Sequence, residues 1–388
     1  MRQIHCLNNI SARGTDLLGA DYALTDDIAA ADGILVRSAA MHDLEFSDKL
    51  LAIARAGAGV NNIPLDRCAD AGIVVFNTPG ANANAVKELI IASLLLGSRG
   101  IVEGIEWVRD NADDPNITKS VEKAKKQFAG REIQGKSLGV IGLGAIGALV
   151  ANAALDLGMT VYGYDPFVSV GAAWRLDPRV VYVEKLEDLL AASDYATIHV
   201  PATSSTIGMI DEAAVAAMKD GSVFLNFSRD TLVVTDALAT ALESGKVARY
   251  ITDFATPEVV KLPNTIVVPH LGASTAEAEE NCAVMAVNQT VAYLERGAIV
   301  NSVNFPACDP GALPAAGTRV CVLHAAEGVT GAAVAGALEG VGGAAANLVS
   351  KTRGARAYTV VDLPQEVSAE DAAAALAGLE GIYRVRAL

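Results

Sequence analysis

Ser137-Leu138-Gly139-Val140-Ile141 is an unbroken apolar run, followed at once by Gly142-Leu143-Gly144-Ala145-Ile146-Gly147. Ala145 to Leu157 suits a helix, and Thr160 to Tyr164 is a second apolar run that ends at Asp165. Unbroken runs of this length are the pattern of strands covered on both faces, as in a parallel sheet. Gly142 permits a tight turn, Gly144 lets the backbone come close to a ligand, and Gly147 lets helix pack on strand. The amides at the helix start, including those of Ala145 and Ile146, have no partners within the helix and suit a pyrophosphate. Asp165 stands where a carboxylate accepts hydrogen bonds from ribose hydroxyls. Pro166-Phe167 follows with no arginine beside it, which favours NAD over NADP, whose 2′-phosphate would meet a carboxylate. A glycine-rich turn alone would be weak evidence. The order strand, turn, helix, strand and terminal Asp is not.

The chain has 388 residues, enough for two or three domains. Its hydrophobic fraction of 52% is that of a globular protein. A formal net charge of −15 argues against nucleic-acid binding and against anionic membrane surfaces. Any anionic substrate must therefore be drawn by local cations against the global field. Val329–Val349 is rich in alanine and glycine, too weakly apolar for a span, and reads as a packed helix. The five cysteines are scattered without C-x-x-C spacing, and Met1 to Leu7 lacks the apolar region of a signal peptide. Both features point to the cytoplasm. No metal-ligand spacing is present.

Residues 1–85 alternate short strands with helical segments, which predicts a small doubly wound domain. A long buried helix is expected over 84–99 with Asn84 as its cap. Lys125 and Lys126 belong to a lysine cluster that reads as a solvated face. After the glycine turn come further strands at 196–200, 222–227, 250–252 and 265–268, then a helix over 275–296. Ligands of open α/β sheets bind beyond the carboxyl ends of strands, which singles out His199, Ser228-Arg229, Asp253 and His270. Asn301 to Gly317 reads as a linker, and Thr318 to Leu388 as a ferredoxin-like βαββαβ module.

Four stretches carry a resemblance: Asn77-Thr78-Pro79-Gly80-Ala81-Asn82-Ala83-Asn84, Gly142 to Gly147, Asn226-Phe227-Ser228-Arg229, and Pro269-His270-Leu271-Gly272-Ala273-Ser274-Thr275. Together they resemble the D-2-hydroxyacid dehydrogenase family, and its phosphoglycerate branch with a C-terminal ACT domain. The resemblance implies two Rossmann-like domains. The substrate domain would hold 1–85 and 285–308, and the NAD-binding domain 86–284. A linker over 309–317 would lead to an ACT-like domain over 318–388. The expected reaction is NAD-dependent oxidation of 3-phospho-D-glycerate to 3-phosphohydroxypyruvate in a cleft between the first two domains, by a homodimer or tetramer. Two rivals stand beside it: a dehydrogenase for another 2-hydroxy acid, and an NAD-sensing protein whose chemistry is vestigial.

By the same resemblance the catalytic residues are Arg229, Glu258 and His270. A histidine can take the hydroxyl proton, a carboxylate can orient it, and an arginine fork suits a carboxylate substrate. The stretch from Glu258 to His270 is shorter than in many members, and an exposed loop carboxylate is the alternative for Glu258. Asp230 stands where glycine is common. For the cofactor the family adds His199-Val200-Pro201, Thr206 and Asp253; His199 could equally be a buried histidine satisfied by backbone. For substrate it adds Arg37-Ser38 and the backbone of Ala58-Gly59-Val60, with Arg37 the first choice for a phosphate and Lys125 or Lys126 the second. Ala326 and Ala344 replace asparagines that would hold serine in the C-terminal module, which leaves assembly as its expected role.

Overall fold

The computed structural model describes residues 1–388, which divide into two compact units, 1–81 with 276–388, and 82–275. These divisions fall four and nine residues before the expected boundaries at 85/86 and 284/285, and the C-terminal module, expected as a separate domain, clusters with the first unit.

The first unit begins with five parallel strands: β1 Arg2–Cys6, β2 Tyr22–Thr25, β3 Gly33–Val36, β4 Ala52–Arg55 and β5 Val74–Phe76. Their order is β2-β1-β3-β4-β5, a doubly wound sheet. One face packs on the helix Ala276–Arg296 through Ile4, Leu35, Phe76, Val287 and Tyr293. Ile34, Val36, Ile53 and Val75 on the other face pack with Cys68 of the short helix Leu65–Asp70. Gly14 comes so near the long helix that a Cβ there would stand 2.7 Å from that of Ala283. Alternate residues serve opposite faces, so short apolar runs fill both layers.

The second unit holds β6 Ser137–Ile141, β7 Thr160–Tyr164, β8 Val181–Tyr182, β9 Tyr195–Ile198, β10 Ser222–Asn226, β11 Val247–Thr252 and β12 Thr265–Val267. All pair in parallel, in the order β12-β11-β10-β9-β6-β7-β8. The order reverses between β6 and β9, which opens the crevice where doubly wound folds bind ligands. The helix expected over 84–99 runs Ala83–Ser98. Asn84 lies inside it and donates to Glu88 Oε1 at 2.9 Å, so it does not act as a cap.

Returning to the first unit, the C-terminal sheet comprises β13 Thr318–Ala325, β14 Asn347–Arg353, β15 Arg356–Leu363 and β16 Ile382–Ala387. Its antiparallel order β14-β15-β13-β16 and the helices Gly331–Gly342 and Ala369–Leu376 make the βαββαβ module. Only the first part of 329–349 is helical; the rest leads into β14. One sheet face carries those two helices. The other is also covered: Cys321, Leu323, Tyr358 and Val360 share a core with Tyr293 and Leu294 of the long helix. Tyr358 Oη donates to Gly297 O at 2.7 Å, and Arg386 donates to Tyr293 O and Leu294 O while lying over the Tyr293 ring. Arg319 is wholly buried. Its fork holds Asp362 at 2.7 and 2.9 Å, and it also donates to the carbonyls of Arg296, Pro310, Gly311 and Ala312. The segment read as a linker is thereby fastened to the sheet. No helix is long and apolar enough to cross a membrane.

Candidate active site

In the second unit the glycine turn has the shape its spacing predicts. Gly142 has φ +89°, and its amide donates to Tyr164 O at 2.8 Å. A Cβ there would lie 2.6 Å from the His199 carbonyl and 2.8 Å from Val200 Cγ1, so only glycine lets the ends of β6 and β9 come together. A Cβ on Gly147 would overlap the Gly142 carbonyl. Gly144 differs: it caps the helix Ala145–Asp156, and nothing lies within 4 Å of where its Cβ would be. Open space thus stands beside the first helical amides, those of Ala145 and Ile146, where a pyrophosphate fits. Asp165 accepts from the amides of Leu143 at 2.9 Å and Phe167 at 2.8 Å, which fixes the carboxylate beside the turn. These residues fit NAD, with the glycine turn for the pyrophosphate and Asp165 for a ribose.

His199, Val200 and Pro201 follow β9. The His199 ring meets Thr197 Oγ1 at 3.0 Å through Nε2, while Nδ1 is enclosed without a partner. The alternative of a histidine satisfied by backbone therefore fails. An enclosed polar nitrogen aimed at nothing in the protein suits a cofactor contact. Thr206 closes the 201–206 turn: its hydroxyl donates to Pro201 O at 2.6 Å and accepts from Thr203 N at 2.8 Å. Burial pushes the His199 pKa from 6.5 down to about 3. An unfolded histidine takes up its proton first as pH falls below 6.5. The stability due to neutral His199 is therefore complete above that pH and lost on the way down to 3. Replacing His199 with Gln should remove about 2 kcal/mol from the loss of unfolding free energy between pH 7 and pH 5. Urea unfolding at the two pH values checks this; equal losses in both proteins would refute it.

Asp253 follows β11 and is buried, 3% exposed. Its Oδ2 accepts from Gly272 N at 3.0 Å, and its Oδ1 is enclosed without a partner. Burial raises its pKa, opposed by the Gly272 amide and by the charges of His270 and Arg229. Asp253 therefore has both candidate cations acting on it, and one oxygen left to accept from a ligand.

His270 is exposed, and its φ of +46° is rare for a residue with a Cβ. Its amide donates to Asp253 O and Val268 O, and its ring stands edge-on to Phe254 at 5.4 Å. Such strained backbone clusters at functional sites. Arg229 is exposed after β10. Buried Asn226 donates to Arg229 O at 2.8 Å and accepts from Ser228 N, while Ser228 Oγ donates to Ile198 O. Asp230 begins a short 3₁₀ turn, Asp230–Leu232. Glu258 is exposed, precedes the turn Val259–Lys261, and lines a cavity of about 230 Å³ with Asp230, Tyr250 and Phe254. No hydrogen bond or ion pair joins Glu258 to His270. The structure gathers Arg229, Asp253 and His270, and leaves Glu258 unattached.

In the first unit, Asn8 Oδ1 accepts from the amides of Arg37, Ser38 and Ala39 at 3.0, 3.1 and 3.0 Å. Those amides are occupied, so Arg37 and Ser38 can offer a ligand only their side chains. Arg37 Nη2 pairs with Glu279 at 2.5 Å on the long helix. The loop after β4 is held by its carbonyls: Asn77 donates to Ala58 O, and Arg55 donates to Gly59 O. The amides of Ala58, Gly59 and Val60 donate to no acceptor in the chain, and adjacent amides of this kind suit an anion. Asn8, Arg55 and Glu279 escaped the sequence reading, and Asn77 was read only as part of a motif. Asn8 had a signal, its place just past a strand end.

Lys125 pairs with Glu122, and Lys126 is exposed without an ion pair. No group of His, Cys, Asp and Glu is arranged for a metal. His324, in β13, is buried with both ring nitrogens engaged, by Thr359 Oγ1 and by Ala325 O, which leaves none for an effector.

Residues 91–272 match the family described as D-isomer specific 2-hydroxyacid dehydrogenase, NAD binding domain. A D-3-phosphoglycerate dehydrogenase of Archaeoglobus fulgidus is 36% identical over 300 residues, 74% of this chain and 54% of the relative. One of Mycobacterium leprae is 38% identical over 262 residues, 65% and 47%. The chain thus spans about half the length of these curated relatives. Among solved structures, the NAD-bound 3-phosphoglycerate dehydrogenase of Entamoeba histolytica is similar at a TM-score of 0.62 and 25% identity, over 78% of this chain and 98% of that one. Taken with the glycine turn, the Asp165 carboxylate and the cluster at the ends of β10 and β11, these likenesses show that residues 91–272 form an NAD-binding domain of the D-isomer specific 2-hydroxyacid dehydrogenase type.

Proposed function

We propose that the protein oxidises 3-phospho-D-glycerate to 3-phosphohydroxypyruvate with NAD, as the names of its relatives suggest. The observation that carries the chemistry is the cluster of His270, Arg229 and half-satisfied Asp253 at the carboxyl ends of β10–β12. Arg229 binds the substrate carboxylate and the C2 oxygen through its planar fork. His270 accepts the proton of the C2 hydroxyl as the C2 hydride leaves. Bound NAD supplies the acceptor for that hydride. Glu258 orients the imidazole and favours its charged form once substrate is present. Asp253 Oδ1 accepts from the nicotinamide carboxamide. The phosphate is held by Arg37, released from Glu279, with the amides of Ala58–Val60 as the anion-facing backbone; Lys125 and Lys126 are the second choice. The enzyme works in the cytoplasm as a homo-oligomer, and the C-terminal module serves assembly.

The test is NADH formation from 3-phosphoglycerate beside D-glycerate, D-lactate and 2-hydroxyglutarate. Arg37→Ala should raise KM for the phosphorylated acid about 10- to 100-fold, the loss of one charged hydrogen-bond partner, and leave the unphosphorylated acids unchanged. Preference for an unphosphorylated acid would sink the substrate assignment and keep the dehydrogenase. No turnover of any acid, with NAD still bound, would support the sensor.

A further inference from the structure

At the amino-terminal ends of β10 and β11 the second unit contains a cavity of about 310 Å³ lined by Gly97, Arg99, Gly130, Arg131, Gly221 and Arg249. Arg249 precedes Asp253 by four residues, about 13 Å along one strand, so the cavity lies toward the sheet edge opposite the glycine turn. Three arginines are among its lining residues. Arg249 is neutralised by Glu103, at 2.6 Å, and also donates to Leu96 O. Arg131 donates to Gly221 O at 2.8 Å and lies over the Tyr195 ring, with no carboxylate partner. Arg99 is exposed; its carbonyl accepts from Ile101 N, and its side chain makes no hydrogen bond or ion pair. Nearby in sequence, Lys246 pairs with Asp220 and Lys219 with Asp194, while the exposed Glu132 beside Arg131 forms no ion pair.

Two uncompensated positive charges therefore share a concavity in a chain of net charge −15. Like charges in one cavity repel, and a bound anion would remove that cost. A Cβ on Gly130 would overlap the Ser98 carbonyl, so this glycine lets the 129–131 segment press on the end of the helix Ala83–Ser98 and bring Arg131 to the side of Arg99. The Gly130 amide has no acceptor in the chain and adds a neutral donor. The volume is at the lower end of small-ligand pockets. We propose that this cavity binds a small oxyanion of two or more charges, phosphoryl or polycarboxylate, through Arg99 and Arg131, beside the neutral Arg249–Glu103 pair. The proposal does not depend on the catalytic reading, since none of these side chains belongs to it.

The experiment is calorimetric titration of the full chain, saturated with NAD to fill the glycine turn, with inorganic pyrophosphate and separately with citrate. Arg99→Gln and Arg131→Gln should each weaken binding at least tenfold, and higher salt should weaken it further in the wild type. Loss confined to pyrophosphate identifies a phosphoryl ligand, and loss confined to citrate a carboxylate one. Arg131 braces Gly221 and its replacement could disturb folding. Arg99 has no partner to lose, so Arg99→Gln keeps the test decisive, with unchanged NAD affinity as the folding check. Equal affinity in wild type and Arg99→Gln overturns the proposal, as does the absence of anion binding in the wild type. A change in sedimentation of Arg99→Gln without a change in anion affinity would also overturn it and assign the cavity to a second copy of the chain.

Discussion

His270→Gln should lower kcat for the 2-hydroxy acid by about 10²- to 10⁴-fold, the usual contribution of a positioned proton acceptor, with NAD affinity unchanged. Glutamine keeps hydrogen-bonding capacity but cannot take the hydroxyl proton at neutral pH. The glycine turn and Asp165 make no use of the imidazole, so binding of the cofactor has no reason to change. Position 270 has φ +46°, which most side chains resist. A His270→Asn variant, better suited to that backbone, separates loss of chemistry from loss of structure. Steady-state kinetics together with NAD titration read the result. Full kcat in both variants would move the proton to another group.

Arg319→Met should destabilise the protein by about 3–5 kcal/mol, the range for removing one member of a buried ion pair. The Asp362 carboxylate would remain, only 6% exposed, with Asn347 as its one other side-chain partner at 3.1 Å. Burial pushes its pKa up and Arg319 pulls it down; without the guanidinium only the upward push and the weaker Asn347 bond are left. Four carbonyls lose their donor at the same time. Adding Asp362→Leu should recover a large part of the stability, because replacing both charges with apolar groups removes the unpaired one. Urea unfolding of the single and double variants measures both. A single variant as stable as wild type would mean that water reaches Asp362.

Much of the second unit was legible because its function is written locally. Gly142, Gly144, Gly147 and Asp165 lie within one strand-helix-strand unit, and each answers a steric or charge requirement set by its neighbours in sequence. His199, Asp253 and His270 were marked by strand ends and by the motif resemblance. The unread residues depend on partners far along the chain. Arg37 meets Glu279, and Val75 N donates to Asn304, pairings no local pattern specifies. The left-handed backbone of His270 leaves no trace in composition, because the surrounding turn imposes it. The C-terminal module did carry an overlooked signal. Val320 to Leu323 and Val360-Val361 show little alternation, and a sheet with one wet face alternates. The run meant that both faces are covered, and Tyr293 and Leu294 supply the second cover.

The division of the first unit across the chain bears on the order in which it is made. Ile4, Leu35, Ala52 and Phe76 all leave the ribosome early, yet the helix that shields them ends at Arg296. At ordinary rates of translation the nascent sheet waits roughly 10–40 s with one side bare. The second unit is continuous, residues 82–275, and can close during that interval. The five-stranded sheet is synthesised before the second unit and covered after it, which makes those seconds its most exposed moment to aggregation.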